Sequence, residues 1–398
     1  MKKSALILAG ILALVWLPAL AQESKEKESK LDLTQPYLLL ATTRTSTMQK
    51  ELSEAAAAGY RVLGGFRIPN DEYVMLLEKV AQPPELYQYL LLATKLTSTM
   101  QKELNEAATQ GFHLLRRSMM GSGSETIMVL EKTPGPAPSP SQYLLLAASF
   151  TGTLQKELGE AADQGYEVAG MVRGDQAAAG GFLGGGEHMV ILEKPAQPPD
   201  QPPAQAAEKS KLNPQERYLL LATERTSTMQ KELDKAAKEG HRILVGSPTS
   251  GTEIMVLLEK VAQPKSYEYE LLATRRLSTL QKELNETAKK GFRLLPQTVA
   301  GKRGTGGGWA LKLVVPTGGM SLPDEIVAVM EKGPGAGQLY QYLVLETQRT
   351  STMQKEIAQA ARDGYAVIAM SGSPEEADEG SLGVGQNLIV VLEKTVTQ

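Results

Sequence analysis

Cysteine is absent from this chain of 398 residues, which excludes disulfides, thiol nucleophiles, thiolate metal sites and a lipid-anchored cysteine after export. Histidine is scarce, and His113, His188 and His241 have no metal-ligand spacing between them. Aromatic residues make up 5% of the chain, with tryptophan confined to Trp16 and Trp309. A surplus of either charge is also missing: 42 Lys and Arg stand against 45 Asp and Glu, a formal charge of −3. The clustered Lys and Arg that neutralise phosphates do not occur, because both signs alternate along the helices, and this speaks against nucleic acid as a partner.

Long apolar runs are lacking except at the start. Lys2 and Lys3, an apolar stretch from Ala5 to Leu17 and Ala19-Leu20-Ala21 before Gln22 have the three parts of a secretory signal. The stretch is shorter than the roughly 20 residues of a spanning helix. The expectation is a signal peptide over 1–21, cleaved after Ala21, and a periplasmic or secreted product with no integral membrane segment. The mature chain then holds 40 basic and 45 acidic residues, a formal charge of −5. Residues 22–31, rich in Lys, Glu and Ser, read as a disordered lead-in.

What the chain does have is repetition. Six times it runs through a form of Tyr-Leu-Leu-Leu-Ala-Thr, then Ser-Thr-Met-Gln-Lys-Glu-Leu, then Ala-Ala-x-x-Gly-aromatic, then an apolar run closing in Glu-Lys. Such periodicity identifies an array before any other feature is read. The repeats span 32–79, 87–132, 142–194, 215–260, 267–332 and 340–398. Repeat one matches four, two matches five and three matches six, so the unit that duplicated was a triplet. Ala-Thr-x-Arg-Thr-Ser-Thr-Met at 41–48 returns at 222–229, and a Tyr-x-Tyr lead opens repeats two (Tyr87, Tyr89) and five (Tyr267, Tyr269). Connectors are rich in proline, and the longest, 195–214, reads as an extended linker between two halves.

Within repeat one the pattern predicts a strand at Tyr37–Thr42, a helix at Ser46–Ala58 and strands at Tyr60–Leu63 and Tyr73–Glu78. Ser46 with Gln49 three residues on has the form of a capping box. Gly59 stands where a left-handed backbone ends the helix, as do Gly111, Gly165, Gly240, Gly291 and Gly364. Met48, Leu52, Ala55 and Ala56 form one apolar stripe. Glu51 and its counterparts fall in the first helical turn, and the closing Glu-Lys marks the exit to solvent. The order βαββ with short links predicts an α+β fold of three-stranded sheets in strand order 1-3-2, one helix to each sheet. Runs such as Met75-Leu76-Leu77 and Ile389–Leu392 predict a middle strand buried on both faces. One helix covers only one face, so sheets of neighbouring repeats are expected to meet face to face or edge to edge within each half.

Candidate chemistry is sparse. The glycine-rich stretches Gly121–Ser124, Gly180–Gly186 and Gly301–Gly308 lack the spacing of a phosphate loop and read as hairpin tips. Carboxylates are plentiful, but none stands in an arrangement peculiar to one repeat. Repeat five carries an insertion at 296–322, and its Trp309 reads as cover for an open sheet edge, with a role as the one candidate contact residue as the alternative.

The stretch Leu104-Asn105-Glu106-Ala107-Ala108-Thr109-Gln110-Gly111-Phe112-His113-Leu114-Leu115 resembles a family of small bacterial βαββ domains of unknown function, whose hallmark is Leu-Asn-x-x-Gly-x-x-Gly-Trp-Glu-Leu-Val. The likeness extends over all six repeats, with the family's Trp replaced by Tyr60, Phe112, Tyr166, His241, Phe292 and Tyr365. It implies the fold and brings no catalytic residue or cofactor. The expectation for function is an exported, non-catalytic repeat protein that presents a multivalent binding or scaffolding surface to a protein or envelope polymer. First-strand edges are expected to recruit extended peptides by strand addition. An envelope-acting hydrolase with an unrecognised carboxylate site and a purely structural envelope protein are the alternatives.

Overall fold

A computed structural model describes residues 31–68, 72–80, 87–94, 96–122, 125–134, 140–174, 187–195, 216–246, 253–261, 267–302, 325–334, 337–347, 349–372 and 388–396. The compact unit begins at Leu33 and takes in all six repeats. Each repeat contributes an antiparallel sheet whose third strand lies between the first and second, so the 1-3-2 order holds throughout. In repeat one the strands are Tyr37–Thr42, Tyr60–Ile68 and Glu72–Lys79. The helices are α1 (Thr45–Ala57), α2 (Thr97–Thr109), α3 (Thr151–Asp163), α4 (Thr226–Lys238), α5 (Leu277–Ala288) and α6 (Thr350–Arg362). The stripe Met48, Leu52, Ala55 and Ala56 is buried, and so is its copy Met229, Leu233, Ala236 and Ala237. All six predicted glycines have positive φ, between 83° and 89°, a backbone that glycine adopts at little cost.

The helices begin two residues earlier than the capping-box pattern predicts. Arg44 occupies the cap, and no cap side chain of the six α-helices makes a capping hydrogen bond. The competing device is the threonine that ends the first strand: the Arg44 N–H donates to Thr42 Oγ1 at 3.2 Å, and Thr94, Thr223, Thr274 and Thr347 repeat the contact. That turn sets the helix start and places Ser46 inside the first turn. Glu51 is consequently the seventh helical residue, and no first turn contains an acid.

How the second sheet face is covered differs from the sequence expectation. Sheets do not stack face to face; a helix lies between each successive pair, and the sheets touch along their second strands. Helix α4 packs Met229 and Leu233 against Val256 and Leu258 of its own middle strand and also against Val327 and Val329 of the next. On that next strand Ala328 and Met330 face the repeat's own helix, α5, which in turn covers Ile389 and Val391 of repeat six. Alternation along a strand therefore assigns odd and even residues to two different helices. The same arrangement joins repeats two to three and three to four. Helix α6 closes the series, packing Met353 and Ile357 on Val74 and Leu76 of repeat one. The six repeats form a closed ring that runs through both halves.

Second strands adjoin one another along the inside of this ring. Four of them carry a one-residue irregularity, at Leu63, Ala169, Leu244 and Ile368. In repeats two and five the irregularity grows into an excursion, Leu115–Met119 and Leu295–Val299. There a hydroxyl replaces the missing ladder contact: Ser118 Oγ and Thr298 Oγ1 each accept from the middle-strand N–H at 2.9 Å. The second strand of repeat five resumes at Ala300–Lys302, so the insertion expected at 296–322 begins inside the sheet. The first excursion reaches across the ring, with the Gly65 N–H donating to the Arg117 carbonyl at 2.9 Å and Arg117 Nη1 to the Ile368 carbonyl at 3.1 Å. A Cβ on Gly246 would stand 3.1 Å from Thr298 Cα of the other excursion, which is why glycine is needed there. Trp309 and Gly180–Gly186 lie outside the described residues.

Because the halves share two buried interfaces, cleavage within 195–214 is expected to leave them associated. The two fragments should co-elute as one particle on size exclusion and separate only in denaturant. Repeat two alone, residues 87–132, has one helix for two apolar sheet faces, and its circular dichroism should lack a cooperative thermal transition.

Candidate functional site

The polar groups of the fold converge between repeats. The glutamine of Thr-Met-Gln-Lys, or Thr-Leu-Gln-Lys in repeats three and five, points from each helix to the outer edge of the next repeat's first strand. Gln49 Oε1 accepts from the Leu91 N–H at 2.8 Å, and its Nε2 donates to the Tyr89 carbonyl at 2.9 Å. Gln155, Gln230 and Gln354 make the same pair of contacts, the last with Leu39 and Tyr37 across the junction of repeats six and one. Gln101 and Gln281 keep the N–H contact, while Asn105 and Asn285 hold the N–H and carbonyl of Tyr143 and Tyr342. A primary amide has the donor and acceptor that an open strand edge needs. At least one N–H and one carbonyl on each first-strand edge are thereby occupied, which works against strand addition by a foreign peptide at those positions.

A second constellation sits beside the amide clamp. Tyr89 donates to Glu131 Oε2 at 3.0 Å and accepts from the Val62 N–H of repeat one at 3.0 Å. Arg61 of repeat one donates to the same carboxylate in two contacts, Nε at 3.1 Å and Nη2 at 2.8 Å, with its guanidinium 4.9 Å from the Tyr87 ring. Arg242 with Tyr267, Tyr269 and Glu331, and Arg293 with Tyr340, Tyr342 and Glu393, reproduce the arrangement. The closing glutamate is not a solvent-facing terminus: Glu131 is 3% exposed, Glu331 9% and Glu393 8%. Glu131, Glu331 and Glu393 each hold their arginine's pKa above its usual range through these hydrogen bonds. The lysine that follows lies over the aromatic residue after the glycine, as Lys79 over Tyr60 at 5.1 Å and Lys394 over Tyr365 at 5.6 Å.

Three junctions depart from this pattern. Between repeats two and three His113 replaces arginine, its Nδ1 3.8 Å from Glu193. Between three and four the position holds Glu167, and Arg217 supplies the cation to both Glu167 and Glu259, at 3.3 and 2.7 Å. Between six and one it holds Ala366. The other histidines are structural in position, with His188 buried in a strand 3.9 Å from Glu253 and His241 in the aromatic place, paired in register with Lys260.

The residues singled out in the sequence thus divide. Gln49 and its counterparts join one repeat to the next, the six glycines end helices, and Ser46 plays no capping part. Among the described residues no His, Asp and Glu are grouped to hold a metal ion, and no helix is long and apolar enough to cross a membrane. Two residues escaped the sequence reading. Leu96 and Phe150 are 64% and 75% exposed, each in the strand-to-helix turn where the other repeats carry Arg44, Arg225, Arg276 and Arg349. An apolar residue where four repeats agree on arginine is the signal that could have found them. The chain matches no family model, and no curated protein matches it.

Burial is the leading cause of a raised pKa at all six junction tyrosines, carrying Tyr218 up to about 12. A raised folded-state pKa gives stability that is complete below the unfolded value near 10 and is lost as pH rises toward the folded value. The urea midpoint should therefore fall steeply between pH 10 and 12. Tyr218→Phe should reduce that slope by up to about 1.4 kcal/mol per pH unit, and an unchanged slope would refute the assignment.

Proposed function

We propose that the chain is an exported, non-catalytic scaffold whose ring presents a multivalent binding face to a protein or polymer of the cell envelope. One observation carries this reading: the six strand-to-helix turns are displayed at equivalent places around the ring, with Leu96 and Phe150 exposed on two neighbouring ones. Large apolar side chains at 64% and 75% exposure add nothing to the folded core, and aromatic residues of this kind anchor interfaces. The surrounding turns of Arg44, Arg225, Arg276 and Arg349, also exposed, would add weaker contacts at fixed spacing. A rigid ring holds such contacts in place before binding, which lowers the ordering cost of multivalent attachment.

Export rests on the secretory pattern of residues 1–21, and the absence of a catalytic role rests on where the carboxylates go. Glu131, Glu259, Glu331 and Glu393 are engaged by tyrosine or arginine at the junctions, where they hold repeats together.

Leu96→Ser with Phe150→Ser tests the reading. Surface substitutions of this kind change stability by about 0.5 kcal/mol or less, so the melting temperature should stay within about 2 °C of the parent. Cross-linking in an envelope fraction should lose the partner bands that the parent chain captures. Identical bands from parent and variant would count against this face.

A further inference from the structure

The junction between repeats six and one differs from its five counterparts in one respect that bears on ligand binding. At three junctions the closing carboxylate receives a guanidinium in two contacts, from Arg61, Arg242 and Arg293. At a fourth Arg217 supplies it, and at the fifth His113 faces it. At the sixth the carboxylate belongs to Glu78. It is set as at the other junctions, with Tyr37 donating to its Oε1 at 3.2 Å and the Val367 N–H reaching Tyr37 Oη at 3.4 Å. Ala366 stands where the arginine would be, and Pro36 stands where Arg217 would be. Among the described residues no Lys, Arg or His side chain forms an ion pair with Glu78.

We propose that the Glu78 carboxylate, held by Tyr37 beside Ala366, is a binding site for the guanidinium of an arginine side chain presented by a protein partner. The internal comparison identifies the ligand class, because the same residues in the same register hold a guanidinium elsewhere in this molecule. A planar donor suits a carboxylate whose orientation is already fixed, whereas a point charge gains nothing from that orientation. The position is open to a partner: the resident arginines at the other junctions leave side chains 43% to 56% exposed, and Ala366 occupies little of that space. Gln35 stands where Tyr87, Tyr267 and Tyr340 stack, so the ring platform is missing and a single arginine should bind weakly. The site rests on the geometry of this junction and stands or falls apart from the scaffolding face at Leu96 and Phe150.

The test is an amide NMR titration of the full mature chain with acetyl-Gly-Arg-Gly-amide, using the citrulline peptide as the neutral isostere. Saturable shifts are expected at Tyr37, Glu78, Ala366 and Val367, with a dissociation constant on the order of millimolar, and at least tenfold weaker binding of the citrulline peptide. Ala366→Arg, which restores a resident guanidinium, should abolish the shifts. Glu78→Gln keeps the side-chain shape and should abolish them too, which preserves the test if the arginine variant does not fold. Equal binding of the two peptides, unchanged binding by either folded variant, or no saturable shift in the parent would overturn the proposal.

Discussion

Every other feature of the molecule depends on a middle strand that is apolar on both faces. Residues such as Met255, Val256, Leu257 and Leu258 are all at most 2% exposed, yet their repeat owns one helix. The second face must be covered by something of the same shape, and the only supply in a tandem array is the helix of the preceding repeat. Each helix then serves two sheets and each sheet two helices. Such sharing leaves an unsatisfied face at either end of an open row. Closing the row into a ring removes both ends, as α6 does when it covers Val74 and Leu76. Repeat arrays more often solve the end problem with polar caps; here the first repeat caps the last.

This explains what was legible in the sequence and what was not. Local periodicity gave the βαββ order, the strand order, the buried helix stripe and the positive-φ glycines, because those depend on residues a few positions apart. The doubly apolar strand even signalled that a second cover was needed. Its source is not legible there, because Met229 and Leu233 have one stripe that looks sufficient for one sheet. That the stripe is wide enough to touch two sheets, 256 to 258 on one side and 327 to 329 on the other, follows from the angle between neighbouring repeats. Hydrophobic periodicity does not encode that angle. The excursions at Leu115–Met119 and Leu295–Val299 were hidden for a different reason: a hydroxyl from Ser118 or Thr298 stands in for a backbone group, and no strand pattern shows such a substitution.

The polar junctions carry information that a single repeat cannot display. Glu131 at the end of a strand and Arg61 after a glycine each look like ordinary solvated charges within their own repeats. Their pairing is visible only when repeat n is aligned against repeat n + 1. Read that way, arginine two residues past the glycine occurs in repeats one, four and five, and Tyr-x-Tyr opens repeats two, five and six. This arginine and the first tyrosine of Tyr-x-Tyr occur together at each of those junctions and are both missing at the other three, one of which takes its guanidinium from Arg217 instead. A capping box at Ser46 and Gln49 was the natural local explanation for a glutamine that in fact serves the neighbouring strand.

Two of the three irregular junctions bear on the order in which the ring closes. Two similar triplets with interchangeable ends could pair wrongly, with repeat three docking on repeat one. That junction would set Glu167 against Glu78, with Pro36 in place of the arginine that separates two carboxylates in the native arrangement. Two carboxylates facing across a partly buried junction repel, and one would have to take up a proton to relieve it. In the native order Arg217 lies between Glu167 and Glu259 at 3.3 and 2.7 Å, and Ala366 offers no charge to Glu78. Wrong closure is thus disfavoured by a pair of like charges, and correct closure is favoured by one guanidinium shared between two acids. The divergence between the halves at Glu167, Arg217, Ala366 and Pro36 has a physical consequence: it makes repeat four, and not repeat one, the partner that repeat three accepts.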